Sequence, residues 1–491
     1  MSLTKGPVSE LRALANLIND AVSQIEAACT SRSQIYPLAD DPFTPQSDAA
    51  RMNPDVLEAG DIIVAAAGQL ISAVRIPAMT LSITSCYSYL TSCLRLAIEC
   101  NVPEILREAG SKGAHVSDIA AKSGADSAKL ARCLRLLATN HIFREVGVDV
   151  FTNNRISSLI DTGKPVDNIL KSPDSKFEGT NGIAAVLEHV SDEGTKCAAW
   201  LPEIIMDNKL GASPEPIVTA FNKAFNTSLP MFSWLELPEN ALRLKRFTIG
   251  MKGVQNLSPA NAILDGFGWK DLPRGSLIVD VGGGVGFYSN VLAKAHDHLN
   301  FVVQDREVVI AEANKVICDR DFSIVIHVIM QYWALEYPEA VKNGRVKLQA
   351  HDFFTPQSVN QPAVFMLRTI LHDWSDQYCV RILSELRKVA GPKTQLLVID
   401  NTVDYACEDT TTTRNIPGAM MLLPPAPLLA NKGAAGVLRY FADVHMMSLL
   451  NGDERTIASF QKLFEQSDWK LTTVVQLPGA VTSAKLIAVP V

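Results

Sequence analysis

The segment that most constrains this chain is Leu277-Ile-Val-Asp-Val-Gly-Gly-Gly-Val-Gly286, an apolar run with one acid leading straight into glycines and then into the helix-compatible Phe287–Ala295. It reads as strand, tight loop and helix, the arrangement that brings backbone amides close to a nucleotide. Asp280 sits where an acid accepts bonds from the loop's amides or from a bound amine. The dinucleotide fingerprint Gly-x-Gly-x-x-Gly/Ala is broken, because counting from Gly282 or Gly284 puts Phe287 or Ser289 where the last small residue belongs. That argues against NAD. A glycine-rich turn without a ligand stays open as the plain alternative.

Composition removes several function classes. Lys and Arg number 45 against 52 Asp and Glu, a net charge of −7, and no basic run stands out, so the footprint of a nucleic-acid binder is missing. Nine cysteines without a Cys-x-x-Cys, and no charged-then-apolar leader at Met1, read as reduced cytoplasmic thiols. Cys86, Cys93 and Cys100 repeat on one helix face, which fits burial better than metal ligation, and no metal is expected. The apolar stretch Ile62–Leu90 is interrupted by Gln69, Arg75 and Pro77, which leaves less than the roughly 20 residues a bilayer requires and predicts no membrane span.

Periodicity divides the chain. Leu11, Leu14, Ile18, Val22 and Ile25 share a helix face, and Ser31–Pro54 is a Pro-, Asp- and Ser-rich loop, giving a helical extension over 1–80 with a loop at 31–54. Within 81–165, Val116–Leu137 reads as helix, Gly124 turn and a second helix bearing Leu130, Leu134 and Leu137. Ile142–Val146 and Val148–Thr152 then form a two-stranded wing around Gly147. The second helix offers only Lys129, Arg132 and Arg135 to DNA, so this winged helix is read as a packing or dimerisation unit. Residues 166–255 form a helical linker, and 256–491 a last domain in which Phe301–Asp305, Val346–Ala350, Val364–Leu367 and Gln395–Ile399 alternate with helical segments. Such alternation predicts an α/β fold with a mostly parallel sheet. A closing hairpin, Lys470–Leu477 with Ser483–Val489, adds an antiparallel strand.

Asp280-Val-Gly-Gly-Gly-Val-Gly286, Leu371-His-Asp-Trp-Ser-Asp376 and Asn451-Gly-Asp-Glu-Arg-Thr456, in this order behind a winged-helix segment, resemble the plant and fungal small-molecule O-methyltransferases. The resemblance runs from about Leu81 to Val491 and includes Ala220–Met251, which is similar to fungal members. It implies a Rossmann-like class I methyltransferase domain, S-adenosyl-L-methionine (SAM) as cofactor, a homodimer, and a small aromatic substrate methylated on a phenolic or enolic hydroxyl. The alternatives are a cyclase or pericyclase on the same fold that leaves SAM intact, and a DNA-binding regulator.

Methyl transfer from a sulfonium is an in-line displacement, so the protein must align two reactants and deprotonate a hydroxyl. His372, after the fourth strand, is the candidate base, since imidazole titrates near neutrality; a capping or packing His is the plain reading. Two acids orient the base in the resembling family, and they fall on Asp400 and Glu454. Asp400 departs from the family's Glu, so either the backbone sits closer or Glu454 carries the orientation. Asp373 or Ser375 is read as the cap of the helix bearing Ile382, Leu383, Leu386 and Val389. For the donor, the resemblance implies the glycines Gly282, Gly284 and Gly286 with Asp280, Asp305 for the ribose, Asp352, Phe353 and Trp374 for the adenine, and Arg368 where plant members often carry Lys. For the acceptor it implies Phe221, Phe225, Phe247, Met251, Met446 and Met447, positions that fit an ordinary core equally well. Leu422–Leu429 is proline-rich and is read as a rim or lid. Ile317–Met330 is an apolar, β-branched insertion that fits neither domain pattern.

Overall fold

The computed structural model describes residues 8–256, 260–306, 333, 336–409, 415–420, 422–476 and 483–491, so the insertion Ile317–Met330 and the turn of the closing hairpin lie outside the described residues. The chain forms two compact units. The first comprises Met1–Ala199, Trp234–Asn256 and Pro424–Gly436, the second Trp200–Ser233, Leu257–Leu423 and Val437–Val491.

In the first unit, helices α1 (Ser9–Ser31) and α2 (Pro54–Val74) pack side by side. Most of the residues the two helices bury are small, Ala21, Ala28 and Cys29 on α1 and Ala59, Ala65 and Ala66 on α2, and small side chains let packed helices approach closely. This shifts the buried stripe away from the one read in the sequence: Leu14 is buried, whereas Val22 is half exposed. The side chain of Asn53 accepts the amide of Asp55, and Pro54 follows in the first turn, so α2 starts eight residues before Ile62. The membrane expectation needs correcting on this account. Helix α2 has 21 residues and is long and apolar enough, by length and composition, to cross a bilayer.

One flank of α2 receives a visitor from the far end of the sequence. Gln69 donates to the carbonyl of Pro427 at 3.0 Å, Lys432 pairs with Asp61 at 3.1 Å, and a Cβ on Gly68 would lie 2.6 Å from that of Ala434. The proline-rich segment read as a rim or lid is therefore anchored on the N-terminal extension. Beyond α2 come α3 (Pro77–Ser85), α4 (Tyr87–Glu99), α5 (Val102–Ala109), β1 (Ala114–His115), α6 (Val116–Ser123), α7 (Ser127–Thr139), β2 (Arg144–Gly147) and β3 (Val150–Thr152). Gly124 ends α6 with φ +75° and Asp126 caps α7, which yields the expected helix–turn–helix; β1, β3 and β2 form a small antiparallel sheet beside it. Arg135 on α7, one of the three basic residues considered for DNA, is held by Glu145 and Asp149.

The second unit is built on a seven-stranded sheet in the order β6-β5-β4-β7-β8-β10-β9. Strands β4 (Leu277–Val281), β5 (Asn300–Asp305), β6 (Val346–Ala350), β7 (Val364–Arg368) and β8 (Gln395–Asn401) run parallel, and β10 (Ser483–Pro490) lies antiparallel between β8 and β9 (Trp469–Gln476). The parallel strands are nearly continuous apolar runs because both faces are covered, by Leu292 and Trp333 among others on one side and by Leu383, Leu386, Phe460 and Phe464 on the other. Strand order reverses between β4 and β7, so their carboxyl ends open the crevice in which such sheets bind ligands.

Candidate active site

The glycine loop follows β4. Gly282, Gly284 and Gly286 have φ of +69°, +57° and +75°, a region that side-chain-bearing residues adopt only with strain. A Cβ at Gly282 would fall 2.5 Å from Ile370 and one at Gly283 2.6 Å from the carboxyl of Asp280, whereas Gly284 faces open space. Asp280 is buried and accepts from Ser289 on the helix Phe287–Ala295 at 2.6 Å, so its partner is that hydroxyl. Burial pushes its pKa up to about 6, against the Ser289 bond and together with the charge of Asp305. Asp305, ending β5, accepts the amide of Gly284 at 2.8 Å and thereby ties the loop to the neighbouring strand. Arg368, ending β7, lies over the ring of Tyr288 at 3.9 Å. After β6, Asp352 accepts the amide of Phe354, and Phe353 meets Trp374 edge-on, its ring also 3.7 Å from where a Cβ of Gly282 would lie. One face of Trp374 is taken by Tyr378, stacked at 5.7 Å. The predicted donor residues thus share one lip of the sheet.

The other half of the site is the 3₁₀ turn Leu371–Asp373 after β7. His372 Nδ1 lies 2.9 Å from Glu454 Oε1 and Nε2 lies 3.3 Å from Asp373 Oδ1. Asn401 also donates to Glu454, at 3.2 Å, and the Glu454 amide donates to Asp443 at 3.0 Å. Asp400 is fully buried, yet among the described residues neither of its carboxylate oxygens has a hydrogen-bond partner. Of the two acids left open by the sequence, Glu454 is the one within hydrogen-bond distance of the imidazole, and the shorter Asp400 acts on it through its charge. The capping reading of Asp373 is overturned. Ser375 precedes the helix Asp376–Val389 without capping it by its side chain, donating instead to the carbonyl of Pro214, while the carboxylate of Asp373 turns to His372.

Burial works against the charged imidazole, but Asp373, Glu454 and Asp400 outweigh it and raise His372 to about 10. The near-neutral titration expected from sequence therefore does not hold in the ligand-free protein, where His372 is an imidazolium at neutral pH. Burial raises Asp400 to about 7 and Asp373 to about 6, each moderated by the cation on His372.

Comparison with known proteins places this geometry. Residues 84–162 match the O-methyltransferase dimerisation domain and residues 321–470 the O-methyltransferase domain. An O-methyltransferase of Armillaria gallica is 42% identical over 98% of this chain and 100% of its own length, and 4-O-methyltransferase 1 of Phanerochaete chrysosporium is 39% identical over 95% and 96%. The chain belongs to the SAM-dependent O-methyltransferases. Among solved structures, the mitomycin 7-O-methyltransferase matches with a TM-score of 0.59 at 22% identity over 84% of this chain and 97% of that one. LepI in complex with SAM matches with 0.62 at 18% identity over 97% and 100%, a likeness of fold.

In this O-methyltransferase the acceptor residues named from sequence are spread over both units. Phe221 is fully buried beside Phe225 in the second unit, the core position left open above, and Met446 and Met447 are half-buried there. Phe247, which meets His189 edge-on, and Met251 belong to the first. Sequence reasoning passed over Gly452, although it lies within a recognised motif. A Cβ there would come 2.0 Å from the carbonyl oxygen of His372, so only glycine lets the two segments touch. The division of labour between the two acids is measurable. Glu454→Gln should lower kcat by about 100-fold or more and Asp400→Asn by less than about 10-fold. Because the folded pKa of Asp400 is raised, its ionisation costs stability as pH climbs from about 4 through about 7. Asp400→Asn should accordingly raise the melting temperature most above pH 7, with the gain shrinking toward pH 4; a pH-independent gain would contradict the buried, unpartnered acid.

Proposed function

We propose that this enzyme methylates a phenolic or enolic hydroxyl of a small aromatic metabolite, with His372 as general base. The observation that carries the reading is the pairing of His372 Nδ1 with Glu454 at the ligand-binding edge of the sheet, with Nε2 on Asp373 Oδ1 at 3.3 Å, a contact that an acceptor hydroxyl would have to share or displace. Relatives named as O-methyltransferases support oxygen as the accepting atom. Bound SAM supplies an electrophilic methyl group and a sulfonium charge. Gly282, Gly284 and Gly286 with Asp280 offer room and negative charge for its amino-acid end, Asp305 takes the ribose, and Asp352, Phe353 and Trp374 flank the adenine. Arg368 lies beside them on Tyr288.

His372 reaches its basic form by losing a proton, which a second cation in the same cleft promotes. Its pKa in the ligand-free protein is about 10 and must fall in the complex, so binding of SAM should release protons. SAM affinity should therefore tighten as pH rises from 7 toward 9, by at most about tenfold per unit, whereas S-adenosylhomocysteine (SAH), which lacks the sulfonium charge, should show a weaker trend. Calorimetry in two buffers of different ionisation enthalpy reads this directly; equal pH profiles for the two ligands would refute the coupling.

The base itself is tested by His372→Ala, which should cut turnover by roughly 10²–10⁴-fold without weakening SAM binding. Wild-type turnover would sink the assignment. A panel of phenols incubated with enzyme and SAM should yield, by mass spectrometry, a methylated product together with SAH. A transformed acceptor with SAM intact would instead mark a cyclase or pericyclase.

We further propose a cytoplasmic homodimer. The matched dimerisation domain covers α4, helix α3 buries none of its residues, and Ile76, Met79, Leu81, Tyr87 and Tyr89 are exposed around it, an apolar surface that a second copy would cover. Light scattering should report about twice the 53.4 kDa chain mass, and deleting Met1–Leu96 should give monomeric or insoluble protein. A soluble, dimeric and active truncation would move the interface elsewhere.

A further inference from the structure

Arg455 has no role in the chemistry described so far, yet it is 1% exposed and spends its guanidinium on the turn that carries His372. Nη1 donates to the carbonyl of Leu371 at 2.8 Å and to that of Asp453 at 3.1 Å, Nη2 donates to the carbonyl of Trp374 at 2.7 Å, and Nε donates to Asp376 at 2.9 Å. Leu371 and Trp374 bracket His372. The backbone of Arg455 is fixed in its turn, since its carbonyl accepts the amide of Val403 just beyond β8 at 3.1 Å.

A three-residue 3₁₀ turn has little stiffness of its own. Its internal amide contacts, Asp373 to Ile370 at 3.2 Å and Trp374 to Leu371 at 3.3 Å, are long. The backbone that carries the imidazole is consequently held from outside, through the Asp453 amide on the His372 carbonyl at 2.9 Å and the guanidinium fork at both ends, while Glu454 holds the ring. Burying a guanidinium is costly unless every donor finds an acceptor, and a well-packed apolar side chain would serve stability as well. What the apolar side chain lacks is the planar fork that holds two carbonyls at a fixed spacing, and lysine's single ammonium lacks it too.

We propose that Arg455 is a positioning residue for methyl transfer, a clamp that fixes the angle of His372 toward the acceptor and is itself held by Asp376. The proposal rests on His372 being the base. A misdirected base handicaps an acceptor that must lose its proton in the site. It matters little to an acceptor that arrives ionised. A role confined to folding would reduce both alike.

The test compares Arg455→Lys, Asp376→Asn and the double variant with two methyl acceptors from the phenol panel. One has a hydroxyl that is neutral at the assay pH, the other a nitro-substituted hydroxyl already ionised there, and rates are normalised to the sites that bind SAH. Arg455→Lys should lower kcat on the neutral acceptor by about 100-fold, lower it on the ionised one by less than about 10-fold, and leave KM for SAM within about threefold. Asp376→Asn, at a side chain 66% exposed and thus safe for folding, should show the same pattern more weakly, and the double variant should be no worse than Arg455→Lys. Equal losses on both acceptors, wild-type kcat per SAH site, or additive losses in the double variant would each overturn the clamp. Should Arg455→Lys fail to fold, the acceptor split in Asp376→Asn decides. Wild-type turnover in His372→Ala would remove the base and the clamp together, whereas a dead His372→Ala beside an unimpaired Arg455→Lys removes the clamp alone.

Discussion

The hydrogen bond between Glu454 and His372 joins positions 82 residues apart, and the arrangement of the active site depends on it. It exists because the segment Asn451–Arg455 lies directly on the turn Leu371–Trp374, with no side chain at Gly452 to hold the two backbones apart. Each residue of that short segment has a distinct task. Asn451 donates to the carbonyls of Ser213 and Glu215, Gly452 permits contact, Asp453 offers its amide, Glu454 its carboxylate and Arg455 its guanidinium. A backbone shift of half an ångström would degrade all of these together, since hydrogen bonds weaken steeply with distance and angle.

The same packing concentrates negative charge. Asp373, Asp400 and Glu454 all act on one imidazole, and they hold it protonated when the cleft is empty of other cations. A protein that worked by hydroxide-like basicity would be poorly served by this. The proposed base is well served, because SAM would bring the opposing positive charge and the acids that stabilise the imidazolium would also stabilise the state in which it has taken the acceptor's proton.

The N-terminal extension gains a structural meaning from the far end of the chain. Residues 424–436 leave the sheet-bearing unit, rest on α2 through Gln69, Asp61 and the bare surface at Gly68, and lead directly into the helix Val437–Leu450. Proline content alone marks such a segment as a loop; it carries no information on the surface that receives it.

What the sequence determined was local. Apolar runs bounded by turns specified β4 to β8, the glycines specified a loop that only they can form, Gly124 and Asp126 specified the break between α6 and α7, and three motifs in order specified the family and where His372 and Glu454 stand. The tertiary structure decided what depends on side chains meeting across long separations. Asp373 faces an imidazole instead of capping a helix, Asp400 is buried with no hydrogen-bond partner among the described residues, α2 begins at Pro54 and rests on α1, and Arg455 grips a turn 81 to 84 residues upstream, which no local pattern encodes. The physical reason is the same in each case. Propensity and periodicity act over a few residues, whereas the direction of a buried polar side chain is fixed by whichever partners the packed core brings within about 3 Å.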